Sequence, residues 1–126
     1  MVLENKKELI PLEEKIEHIK ETLKFDNGKP CISDLPQLSL MSVAKVFNYG
    51  AIKYSKFNYS HGTEWLRYYD AAQRHMYAWM TCEDIDESKH HHLDHAIASL
   101  MMLRENIHLD KGVDNRNPIY KTYDAK

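Results

Sequence analysis

The sequence predicts an all-α protein, four helices arranged as a bundle with a polar C-terminal arm. Apolar residues return at three- and four-residue steps in four separate stretches. No stretch alternates apolar and polar residues long enough to make a strand. Segments rich in Gly, Pro, Asn, Asp and Ser separate the four stretches. Residues 1–126 are expected to form a single domain, with an N-terminal helix in 1–25, a helical core in 26–108 and the arm in 109–126.

The first helix is carried by Leu12, Ile16, Ile19 and Leu23, behind Pro11 at a place that suits a first turn. "DNGKP" then marks a turn, and Pro30 and Pro36 keep residues 26–36 irregular. Leu40, Val43, Phe47 and Ala51 stripe the second helix, which tolerates Gly50. After the breaker "SKFNYSHG", Thr63 is the expected N-cap of the third helix, whose face is Trp65, Tyr69, Ala72, Met76 and Trp79. Ser88 is the expected N-cap of the fourth, with Leu93, Ala96, Leu100, Leu103 and Ile107 as its apolar face. The remaining "DKGVDNRNPIYKTYDAK" is polar and rich in turn residues, with Tyr120 and Tyr123 free to pack on the body or on a second subunit.

Composition narrows the function classes. With 43% hydrophobic and 29% charged residues the chain is globular, and its net charge of -2 gives no general attraction to nucleic-acid polymers or acidic lipid. A small-molecule ligand fits better. The longest apolar runs, such as "AIASLMML", are too short for a membrane span, and "MVLENKKELI" has no apolar signal core, so a cytoplasmic protein is expected. Cys31 and Cys82 form no C-x-x-C pair and read as free thiols.

Chemistry concentrates between residues 70 and 95. His75, His90, His91, His92 and His95 surround the acidic run Glu83, Asp84, Asp86 and Glu87. On a helix, His92 and His95, or His91 and His95, put two imidazoles on one face. Carboxylates from the preceding loop, among them the E-x-x-D pair Glu83 and Asp86, complete a shell for one divalent ion. Oxygen ligands favour Mg²⁺ or Mn²⁺, while imidazoles tilt selection toward Mn²⁺ or Zn²⁺. The competing reading is a solvated helix start, since acids there complement the helix dipole. His90 reads as surface, and His75 equally as a hydrogen-bonded core residue.

Asp70 and Arg74 are four apart, spacing that an ordinary surface ion pair also has. Beside an acidic metal cluster, however, Arg74 gains the role of gripping a phosphate, with Lys29, Lys45 and Lys53 adding charge. Tyr49, Tyr54, Asn58 and Tyr59 supply stacking and hydrogen bonds for a base. Metal-binding acids next to phosphate grips are suited to hydrolysing phosphoanhydrides.

The blocks "GKP", "DLP", "VAKVF", "YGAIKY", "NYSHG", "DAAQRH", "CEDIDESK" and "HLDHA" run in that order between Gly28 and Leu103. Together they resemble the phage-associated dATP/dGTP diphosphohydrolase (MazZ-like) family. The resemblance implies a helical fold of the MazG type and divalent-metal-dependent cleavage, with Mg²⁺ or Mn²⁺, of purine deoxynucleoside triphosphates to monophosphate and pyrophosphate. It implies functional positions at Lys29, Pro30, Asp34, Lys53, Tyr54, Asn58, Gly62, Asp70, Arg74, His75, Glu83, Asp86, Glu87, His92 and His95. Glu83, Asp86, His92 and His95 are then the metal-holding set. Arg74, Lys29 and Lys53 grip phosphates, Tyr54, Asn58 and Asp70 complete the substrate site, and Glu87 or His75 activates water together with Glu83 and Asp86. A homo-oligomer, dimer or tetramer, is expected, because Trp65, Tyr68 and Trp79 exceed what one small core covers.

The chain departs from the family pattern at three places. Ser42 stands where a glutamate usually precedes "VAKV", Cys82 replaces the glycine before Glu83, and the acidic loop is one residue short, ending in Lys89 where glycine is usual. A second function is therefore carried alongside the first, a binding protein that keeps the nucleotide or a nucleotide signal intact.

Overall fold

A computed structural model describes residues 11–17 and 23–124. The chain divides into two compact units, Met1–Ile32 and Ser33–Lys126. In the first, α1 (Leu12–Glu17) starts directly after Pro11, whose carbonyl accepts the Lys15 amide at 3.1 Å. The expected helix was longer. Ile19 lies outside the described residues, and Leu23 and Phe25 are irregular and exposed, so the apolar spacing that includes Leu23 is not a helical stripe there.

The second unit holds α2 (Gln37–Lys53), α3 (Trp65–Met80) and α4 (His92–His108), and among the described residues it contains no β-strand. With α1 the described residues form four α-helices, the all-α class expected. No helix among the described residues is long and apolar enough to cross a membrane. α4 is central, packing against both α3 and α2 and against a 3-10 turn at Asn58–His61.

The expected stripes are buried only in part, at Val43, Ala72 and Ala96. On α3 the small Ala72 is buried, while Tyr69, Met76 and Trp79 remain more than two-fifths exposed. On α4 the buried residues are His92, Ala96, Ala98, Ser99 and Asn106, with Leu100 and Ile107 turned outward. Alanines at the contact let the two backbones approach closely, whereas the larger side chains would hold them apart. Val43 and Val46 of α2 close the core against Ala98, with Phe47 and Met102 packed beside them.

Both expected N-caps are replaced. Glu64 precedes α3 without a side-chain cap bond, and the free amides of its first turn are taken by the C-terminal arm. Val113 O accepts from Trp65 N at 2.9 Å and Asn115 Oδ1 accepts from Leu66 N at 3.0 Å. Residues 111–116 thus strap down the start of α3, and the Trp65 indole donates to Lys111 O at 2.9 Å. At α4 the cap is His91, whose Nδ1 accepts from Leu93 N at 3.0 Å. Tyr120 and Tyr123 remain exposed and meet each other edge to face.

Candidate metal centre and adjoining cleft

The α3–α4 corner is built by its own backbone. α3 ends with Cys82 N donating to Trp79 O and Glu83 N to Ala78 O, both at 2.9 Å, a capping pair that needs a left-handed residue at position 82. Cys82 supplies it at φ 72° and Lys89 makes a second left-handed turn at φ 73°. These are the two positions where glycine was expected from the resemblance. Between them Asp86 N donates to His90 O and His92 N to Asp84 O, both at 2.8 Å, which folds the acidic loop back onto the first turn of α4.

That fold brings three donors together. His75 of α3, Asp86 of the loop and His92 of α4 each offer one atom within 4.8 Å of the others. His75 Nδ1 and His92 Nδ1 are 2.8 Å apart, and Asp86 Oδ1 is 3.9 Å from His92 Nδ1. An ion with bonds of about 2.0–2.2 Å holds neighbouring donors roughly 3 Å apart, so these spacings lie on either side of what it requires. His92 is 5% exposed, and its other nitrogen, Nε2, has no hydrogen-bond partner.

Glu83 and His95 stand around this trio. Glu83 Oε1 lies 3.5 Å from His92 Nε2 on a side chain that is 64% exposed. His95 Nε2 is 2.7 Å from Ser88 Oγ and 3.7 Å from Asp86 Oδ2, and its ring stacks on His75 with centroids 4.5 Å apart. Ser88 therefore binds His95 and Asp86, which explains why it is not free to cap α4. His90, read as surface, lies against Tyr49 at 5.4 Å.

Burial pushes the His75 imidazole below its ordinary range, and the adjacent His95 adds to that. Burial does the same to His95, against the opposing pull of Asp86. For Asp86 burial alone would raise the carboxyl, but the hydrogen bonds from Ser88 outweigh it and hold the acid below the usual range. At neutral pH His75 and His95 are thus unprotonated and Asp86 is ionised, the protonation states in which such groups bind a cation.

A cleft of about 780 Å³ opens from this corner. It is lined by the second half of α2, residues 54–59, Tyr68, Arg74 and His75 of α3, Asp86 and Glu87 of the loop, and His95, Ala98 and Met102 of α4. Lys53, Tyr54, Asn58, Tyr49 and Tyr59 all line it, with the Lys53 ammonium 5.2 Å from the Tyr54 ring centre. Asn106, buried among these elements, donates to Tyr59 O at 3.2 Å and to Met102 O at 2.7 Å, fixing the 58–61 turn on α4. Asp70 is exposed on α3 and does not line the cleft, and neither does Lys45. Lys29 belongs to the first unit, whereas every lining residue belongs to the second. Ser42 directs its hydroxyl to Leu38 O at 3.1 Å, and α2 contains no acidic residue.

Sequence reasoning treated His75 as a proton acceptor or a core residue, not as one of the converging donors. It also left out Phe57, Lys56 and, as a cleft residue, Tyr68. The seven-residue step from Tyr68 to His75, two helical turns on one face, was the available signal. Cys31 and Cys82 are free and exposed.

The sequence profile of the family described as dATP/dGTP diphosphohydrolase, N-terminal, matches residues 20–116. No curated protein and no solved structure matches the chain.

Proposed function

The chain belongs to the dATP/dGTP diphosphohydrolase, N-terminal family, and from that premise we propose that it hydrolyses purine deoxynucleoside triphosphates to monophosphate and pyrophosphate with a divalent metal, Mg²⁺ or Mn²⁺. The observation that carries this reading is the convergence of His75, Asp86 and His92, the first two of which line an aromatic cleft that also holds Arg74 and Lys53. An ion bound there would neutralise phosphate charge and lower the pKa of the attacking water.

The chain's own residues divide the remaining work. His75, Asp86 and His92 would hold the ion, with His95 backing Asp86. Arg74 and Lys53, both on the cleft wall, take phosphate oxygens. Tyr54, Asn58 and the neighbouring rings receive the nucleoside. Glu87 lines the cleft beside Asp86 outside the donor trio. It therefore takes the proton as water attacks the α-phosphorus, the α–β bridging bond breaks and pyrophosphate leaves with its electrons. A homo-oligomer is proposed as the working state, since the buried apolar side chains are only Val43, Val46, Ala72, Ala96 and Ala98 among the described residues, while Trp79, Met76 and Leu100 stay exposed.

The test is incubation of the protein with Mg²⁺ or Mn²⁺ and a panel of nucleoside triphosphates, with products resolved. Pyrophosphate together with dAMP or dGMP is expected, and silence across the panel would overturn the hydrolase. Ser42 favours the second reading, a protein that holds its nucleotide without cutting it, because α2 contributes no carboxylate to the site. Intact triphosphate recovered from a denatured complex would support that reading.

A further inference from the structure

We propose that Glu83 is a positioning residue, whose carboxylate holds the His92 ring so that Nε2 carries the proton and Nδ1 turns its lone pair to His75 and Asp86. The inference rests on reading His75, Asp86 and His92 as the metal-holding trio. It departs from the sequence-based expectation that Glu83 is itself a ligand.

Three observations lead to it. Nδ1 of His92 is already committed to the trio, 2.8 Å from His75 Nδ1 and 3.9 Å from Asp86 Oδ1. Its Nε2 points away from them, is buried and lacks a hydrogen-bond partner, an arrangement that costs free energy unless an acceptor closes on it. Glu83 Oε1 lies 3.5 Å from that nitrogen, just too far for a formed bond, on an exposed side chain that a small rotation brings closer.

The proton count is consistent. Two Nδ1 atoms 2.8 Å apart share one proton in the metal-free protein. With His92 protonated at Nε2, that proton sits on His75 Nδ1, which donates to His92 Nδ1. When an ion binds, His75 must move its proton to Nε2, whereas His92 is already in the binding tautomer. An outer carboxylate on a ligating imidazole fixes its tautomer and orientation in this way, and losing one typically costs about 10–100-fold in metal affinity.

The experiment uses the full chain as wild type, Glu83→Ala, Glu83→Gln and Asp86→Asn. In the metal-free protein, ¹⁵N shifts of His92 report its tautomer, and titration with Mn²⁺ and Co²⁺ reports affinity and, by Co²⁺ absorption, ligand number. Expected are a pure Nε2–H tautomer in wild type and a mixture in Glu83→Ala. Mn²⁺ binding should weaken about 10–100-fold in Glu83→Ala, with partial rescue in Glu83→Gln and the Co²⁺ spectrum keeping its shape. Two results overturn the proposal: Glu83→Ala matching wild type in tautomer and affinity, or a Co²⁺ spectrum that shows a lost oxygen ligand. Failure of the metal centre itself has a different signature, in which wild type and Asp86→Asn bind Mn²⁺ equally or not at all.

Discussion

The α3–α4 corner and the C-terminal strap are both tight backbone constructions, but they meet the need for left-handed residues in opposite ways. The strap uses glycine where space forbids anything else. A Cβ on Gly112, at φ +77°, would lie 2.2 Å from Thr63 O, and one on Gly62, at φ +83°, would lie 2.6 Å from Gly112 N. The corner instead places Cys82 and Lys89 in left-handed turns, each with an exposed side chain. At the corner the cost is conformational, roughly 1–2 kcal/mol per residue, and at the strap it is steric. The difference teaches that a missing glycine does not signal a lost loop, provided the side chain has room outside.

The two regions also divide chemistry from stability, and the largest predicted effect tests that division. Asp86→Asn removes the only carboxylate of the donor trio. Triphosphate hydrolysis should fall by roughly three orders of magnitude, on the order of 4 kcal/mol of transition-state stabilisation. Thermal stability of the metal-free protein should change little, because Asp86 is half-buried and outside the apolar core. Activity within tenfold of wild type would remove Asp86 from the chemistry.

Gly112→Ala should do the reverse. The added methyl collides with backbone at Thr63, so the strap must open, and with it the bonds to Trp65 N and the Trp65 indole. A loss of roughly 3 kcal/mol in urea unfolding is expected, with a change in Trp65 fluorescence and no change in Mn²⁺ affinity. Unaltered stability would show that the strap is not held as described.

Why the strap was not legible in the sequence follows from its range. Thr63 is a good local cap by type, yet the amides at the start of α3 are taken by Val113 and Asn115, about fifty residues downstream. Ser88 fails as a cap for a similar reason, because His95, one helix turn into α4, takes its hydroxyl. Local patterns found α2, α3 and α4 and gathered Asp86, His92 and His95 into one corner. They could not find His75 as a partner of His92, since that contact depends on the axial register of two helices. They placed Ala72 on the buried face of α3, but not the exposure of Tyr69, Met76 and Trp79, which share its stripe.

Acidification should separate the regions without a mutation. His75 and His95 have folded-state values below 6.5, so the unfolded chain takes up their protons first. Their contribution is fully present above 6.5 and is lost as the pH falls from there through the lowered folded values. At the strap, Asp114 is held down to about 2 by its hydrogen bonds from Arg116, so that pair breaks only as the pH falls from 3.8 toward that value. Thermal melts between pH 7 and pH 5 should therefore show a falling midpoint that His75→Gln flattens, while amide exchange at Trp65 and Val113 keeps its relative protection. A pH-independent midpoint over that window would contradict the burial of these imidazoles.

The smallest effect bears directly on the corner's missing glycines. Cys82→Gly and Lys89→Gly each relieve a left-handed L-residue, a gain of roughly 1–2 kcal/mol, but each also frees the unfolded chain, which returns about 0.4–1 kcal/mol. The net expectation is a stabilisation of about 0.5 kcal/mol per substitution, a rise of roughly 1–3 °C in Tm. Both side chains are exposed, so no buried packing is forfeited in the exchange. Since the donors His75, Asp86 and His92 do not include either residue, Mn²⁺ affinity should stay within twofold, and a corner that binds better with glycine would mean the present loop holds Asp86 off its best position. Destabilisation by both variants would show instead that the Cys82 and Lys89 side chains make contacts that outweigh their backbone cost, and the contrast with Gly62 and Gly112 would lose its physical basis.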